Sequence, residues 1–177
     1  RAGPSDGPIL SVRYDRQLGS AAEVLLGLGY ARLDKYLVDP TVPEASRLIG
    51  PFEDNVVFME TGASLLLTGR KSWHGLVPYI GAMGGVVFET DLGTPSALTF
   101  GTRVSLTPHI GLKWYPVQAI AFKVEARDII WRLKYPEVWF VSQVPGIPPV
   151  LQPDVHKPAE WLHHPTLMVS LGYTFTL

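Results

Sequence analysis

Residues 166–177 read Thr166-Leu-Met-Val-Ser-Leu-Gly-Tyr-Thr-Phe-Thr-Leu177. Every odd position is large and apolar, and every even one is small, polar or Met. Successive side chains on an extended strand point to opposite faces, so this two-residue period puts Leu167, Val169, Leu171, Tyr173, Phe175 and Leu177 on one side. Ser170, Gly172, Thr174 and Thr176 share the other. A soluble sheet can carry such a pattern, but a face this apolar, with aromatics towards its end, also suits a strand that looks onto lipid.

Working outward, the same period recurs along the chain and predicts seven strands, at 9–18, 22–36, 55–68, 76–89, 98–114, 119–135 and 166–177. The first sets Leu10, Val12, Tyr14 and Leu18 against Ser11, Arg13, Asp15 and Gln17; a tight turn at Gly19 and Ser20 makes a hairpin with the second. In the second strand the polarity changes phase at Ala31 and Arg32, bringing Leu33 to the apolar side, and in the sixth it changes again at Asp128, bringing Ile129, Trp131, Leu133 and Tyr135 there. A β-bulge is expected at each change. Prolines and glycines interrupt the fourth strand. The fifth is long enough at about 3.3 Å per residue to project beyond a bilayer core. Short turns near Gly19, 69–75 and Pro116 alternate with long connections at 37–55, 89–97 and 136–165, the last with a short excursion at 138–141.

Composition narrows the options. The chain has 177 residues, 46% of them hydrophobic, enough for one domain with a core or a lipid-facing band. A formal net charge of -1 with scattered basic residues offers no field for nucleic acid. The absence of Cys excludes disulfides, thiolate metal sites and cysteine nucleophiles. No apolar run reaches the roughly 18 residues of a spanning helix, so a membrane crossing would have to be made by a barrel. The start at Arg1, without Met or signal peptide, reads as a mature or truncated product.

The residues predicted to face inward are Arg13, Asp15, Glu23, Glu60, Arg103, His109, Lys113, Lys123, Glu125 and Arg127, with Glu89 beside them. Acids and bases balance in this set, which suits an interior of neutralising pairs, since an unpaired buried charge costs several kcal/mol. The alternative is a charged conduit for small solutes. Glycines collect on the same face, at positions 27, 29, 62, 81, 85, 101, 111 and 172, leaving room for long side chains. His109 is expected to pair with Glu125. Aromatics near strand ends suggest two interfacial girdles: Trp73, Trp114, Tyr115 and Phe175 by the short turns, and Tyr30, Phe88, Phe100, Trp131 and Tyr135 by the long loops. His156, His163 and His164, near Asp154 and Glu160, lack the fixed spacing of a metal site, so no metal is assigned. No Ser, His and acid motif marks catalysis, and no phosphate loop or cofactor motif is present; the expectation is a non-enzyme without cofactor.

The closing stretch, with Tyr173 and Phe175 before the end and Leu177 where Phe is usual, resembles the last strand of bacterial outer-membrane β-barrels. The strand pattern resembles the small OmpA/OmpX/OmpW-like superfamily over nearly the whole chain. That resemblance implies an all-β, antiparallel, up-and-down transmembrane barrel of about eight strands, forming one domain over 1–177. It also implies an outer-membrane location, partners in the lipid bilayer and in the assembly machinery that reads the C-terminal strand, and a structural, surface-binding or narrow-pore role. The competing classes are a soluble β-barrel or sandwich carrier of small ligands and a homo-oligomer completed by strand donation. Seven strands leave two edges that lipid does not tolerate. The expectation is therefore an eighth strand from outside the sequence in hand.

Overall fold

The computed structural model describes residues 7–69, 72–90 and 101–175. Seven strands follow in chain order: β1 (Ile9–Leu18), β2 (Ala22–Val38), β3 (Leu48–Leu66), β4 (Leu76–Glu89), β5 (Thr102–Val117), β6 (Ile120–Lys134) and β7 (Ala159–Tyr173). Each pairs antiparallel with its sequence neighbours, giving one up-and-down sheet in the order β1 to β7. Two 3-10 turns, Glu44–Ser46 and Glu137–Trp139, are the only helical pieces among the described residues. Among the described residues no helix is long and apolar enough to cross a membrane.

The sheet curls on itself. Arg13 and Asp15 of β1 form salt bridges with Glu125 and Lys123 of β6, and Asp15 also with Lys113 of β5, although β1 hydrogen-bonds only to β2. Side chains of the first and the last-but-one strands therefore meet over a shared concave face. Among the described residues no ladder joins β1 to β7, so the sheet is not closed. Strand direction alternates along it, which makes these two edge strands parallel to each other.

The assignment of faces follows the two-residue period throughout. Val12, Val104, Leu167 and Val169 on the convex side are each more than 70% exposed, whereas Lys113, Glu60 and Glu125 on the concave side are buried. The connections are also lopsided. The strand ends joined through 19–21, 67–75 and 118–119 lie at one end of the sheet, and those joined through 39–47, 90–101 and 135–158 at the other.

Two expected bulges are absent. The β2–β3 register runs without a slip from Ala22 opposite Leu65 to Lys35 opposite Phe52, and β6–β7 from Ile120 opposite Tyr173 to Lys134 opposite Ala159. Leu33, Ile129, Trp131 and Leu133 thus point inward and are buried, while Arg32, Arg132 and Lys134 point outward and are exposed. What changes at these positions is the polarity of the two faces, not the phase of the strand. Towards the long connections the concave side becomes an apolar cluster of Ala31, Leu33, Val56, Phe58, Val87, Ile129, Trp131 and Leu133, and the convex side becomes polar. The actual register shifts lie between Lys35 and Leu37 and between Trp114 and Val117.

Two of the long connections are shorter than expected, because strands run on into them. β2 reaches Val38 and β3 starts at Leu48, so 37–55 reduces to 39–47. β7 starts at Ala159, so 136–165 reduces to 135–158; the excursion near 138–141 is the turn that buries Trp139 against Val38, Tyr135, Val150 and Leu151. β5 runs to Val117, and its expected start at Leu98 lies outside the described residues, as do Phe100, Thr176 and Leu177.

The aromatics sort accordingly. Trp73, Trp114, Phe175 and Tyr30 are exposed, joined by Tyr173 and Trp161, and Trp114 stacks on Phe122 at 5.7 Å between ring centroids. Tyr115, Trp131 and Tyr135 do not belong to a girdle: Tyr115 packs on Leu66, Val77 and Tyr79, Trp131 in the apolar cluster, and Tyr135 on Trp139.

Candidate functional site: a buried charged network

The half of the concave face nearest the short turns carries interlocked ion pairs. Arg13 gives Nη1 to Glu125 Oε2 at 2.6 Å and Nε to Asp15 Oδ1 at 3.0 Å. Asp15 also accepts from Lys123 and, at 3.3 Å, from Lys113, whose ammonium lies against Glu23 as well. Lys113 stands 5.2 Å from the centre of the Tyr79 ring, and the Tyr79 hydroxyl donates to Glu125 at 2.8 Å. Farther towards the long connections Thr107 donates to Glu60, whose other oxygen is 3.4 Å from Arg127 Nη1. At that end Lys35 bridges Glu89 at 2.5 Å and Asp54 at 3.8 Å.

Every inward residue expected from the sequence thus lies on the concave face. Arg103 sits beside Glu89's strand, opposite Val87. Two members escape a sequence reading, Lys35 and Asp54, because 37–55 reads as loop and Lys35 follows an apparent change of phase. Their alternation with Leu33 and Val56 is the signal that finds them.

Glycines make this crowding feasible. A Cβ at residue 81 would lie 2.6 Å from His109 Nε2 and 2.7 Å from Ser64 Oγ, and one at residue 111 would lie 2.5 Å from the Tyr79 hydroxyl. The expected pairing of His109 with Glu125 does not form. The β5–β6 turn sits at 118–119 and places Glu125 opposite Gly111 and Arg127 opposite His109. Glu125 goes to Arg13 and Tyr79, and His109 Nε2 instead meets Ser64 Oγ at 2.8 Å.

Ser64 and His109 stand at a distance that a nucleophile and its base would keep. Both are buried, and His109 Nδ1 faces the Thr107 carbonyl at 3.4 Å where a triad would need an acid. The three late histidines separate: His163 bonds Asp128 on the convex side at 2.6 Å, His164 stacks on Trp131, and His156 accepts from the Gln152 amide. Among the described residues no three His, Asp or Glu side chains gather as metal ligands.

Charges this deep are costly unless matched, because desolvation of each ion amounts to several kcal/mol. The network offsets that by giving Asp15 three cationic partners and Glu125 two donors. No protein-family model, curated protein or solved structure matches this chain.

Proposed function

We propose that the protein is a small bacterial outer-membrane β-barrel with a filled interior, acting without catalysis as a structural element that displays its long connections at the cell surface. The observation that carries this reading is the inverted distribution of polarity. Apolar side chains are exposed along the middle of all seven strands while ion pairs are buried. Water would penalise such an exterior by roughly 25 cal/mol per Å² of apolar surface; lipid removes that penalty. A soluble carrier would need the opposite arrangement.

The fill is supported by the two halves of the concave face. The ion-pair network occupies one and the apolar cluster around Phe58 and Trp131 the other, with Trp139 above it. Small barrels of about eight strands are filled by their own side chains in this way. Closure requires one more strand. Direct pairing of β1 with β7 would be parallel, whereas a single inserted strand runs antiparallel to both and leaves no edge in lipid.

The test is extraction and gel migration. The reading requires that the protein need detergent, migrate differently before and after boiling, and give no steady conductance in planar bilayers. A monomer stable without detergent would refute the membrane reading. An ion-conducting barrel would refute the filled interior.

A further inference from the structure

Arg127 is buried, with its side chain 4% exposed, and lines a cavity of about 260 Å³ between the two edge strands, bounded by Val12 and Arg13 on β1, by Ser170 and Tyr173 on β7, and by Glu60 and Glu125. Among the described residues neither its Nε nor its Nη2 has a hydrogen-bond partner. Those two nitrogens form one edge of the guanidinium, with parallel N–H bonds that fit the two oxygens of a carboxylate or phosphate. Nη1, at the opposite corner, makes the long contact with Glu60, and the ring of Phe58 lies 5.5 Å from the guanidinium carbon. The neighbouring cations are better matched, Arg13 by Glu125 and Asp15, and Lys123 by Asp15.

We propose that this cavity binds a small oxyanion, a carboxylate or a phosphate, gripped side-on by Nε and Nη2 of Arg127. Leaving two donors of a buried cation unsatisfied is expensive, and a neutral water supplies no countercharge. Entry is from the short-turn rim. A second cavity of about 550 Å³, lined by Gln17, Glu23 and Thr174, shares Arg13, Lys123, Gly172 and Tyr173 with the first. An anion passing the cations Lys123 and Arg13 reaches Arg127 and stops, because the apolar cluster fills the space beyond. The cavity lies at the gap between β1 and β7 that the proposed inserted strand would close, so the site rests on that strand bringing no acid to Arg127; it does not depend on whether the convex face meets lipid.

The test is calorimetric titration of the purified protein in detergent with acetate and, separately, inorganic phosphate, at constant ionic strength against chloride. Saturable one-to-one binding is expected for at least one oxyanion, at least tenfold tighter than chloride. Arg127→Lys keeps the charge but loses the fork and should weaken binding at least tenfold. Ser170→Trp puts a large ring into the cavity while leaving Arg127 itself unchanged and should abolish binding, which decides the matter if the Arg127 variant does not fold. Absence of saturable binding by the folded protein would overturn the site, as would unchanged affinity in either folded variant. Heat-modifiable migration is scored on the same samples, so loss of the barrel reading and loss of the anion site are read separately.

Discussion

Asp15 on β1 and Lys123 on β6 are joined by a salt bridge although neither strand hydrogen-bonds to the other; β7 and the open edge lie between them in the wall. The curl of the sheet is therefore held from inside, by charge. Asp15 compensates three cations, so Asp15→Ala should cost about 3–5 kcal/mol, the usual loss when one member of a buried ionic cluster is removed. Urea unfolding in detergent measures it. The double variant Asp15→Ala, Lys123→Met should recover part of that loss; strictly additive effects would mean that the two side chains do not interact.

Glu125 receives Arg13 and Tyr79, and its removal strands a buried guanidinium. Glu125→Ala is expected to lower the unfolding midpoint while planar bilayers stay silent. A stable variant with a large conductance would show that the interior is a conduit that Glu125 gates.

Trp131 distinguishes a change of face polarity from a bulge. In the apolar cluster, Trp131→Ala should cost about 3–5 kcal/mol, as other large core truncations do. On a lipid-facing surface the same change would leave the unfolding midpoint almost unmoved.

The sequence reveals the seven strands and their faces because hydrophobic alternation survives wherever one side is apolar and the other charged. It misleads at Arg32 and Asp128. There the strands leave the apolar belt, the interior becomes apolar and the exterior polar, and an exchange of polarity between faces looks the same as a slipped phase. Only register separates the two, and register is a property of the partner strand: Leu33 opposite Asp54, Ile129 opposite His164. The same effect hides Lys35 behind the apparent change of phase, and Asp54 lies within an apparent loop. Pairing across the face is equally invisible, which is why His109 finds Ser64 and not Glu125. The free edge of Arg127 has no sequence signal, since it depends on where five other strands place their acceptors.

The outer face is probed by charge. Leu106 is exposed on the convex side, and Leu106→Arg should cost about 2–4 kcal/mol if it lies near the bilayer midplane. The inward control is better placed at Ser170 than at Ser105, because Ser105 is buried beneath the crowded apolar half whereas Ser170 lines a cavity. Equal losses at Leu106 and Ser170 would contradict the assigned faces.

The most direct test of the inverted distribution is a nitroxide scan along β5, made simple by the absence of cysteine. Labels are placed singly from residue 104 to residue 113 in protein reconstituted into lipid vesicles, and their collisions with molecular oxygen and with a water-soluble nickel complex are measured. The account predicts a strict period of two: positions 104, 106, 108, 110 and 112 open to oxygen and shielded from nickel, the odd positions shielded from oxygen. Even positions that the nickel complex reaches as freely as it reaches an exposed loop label would contradict it.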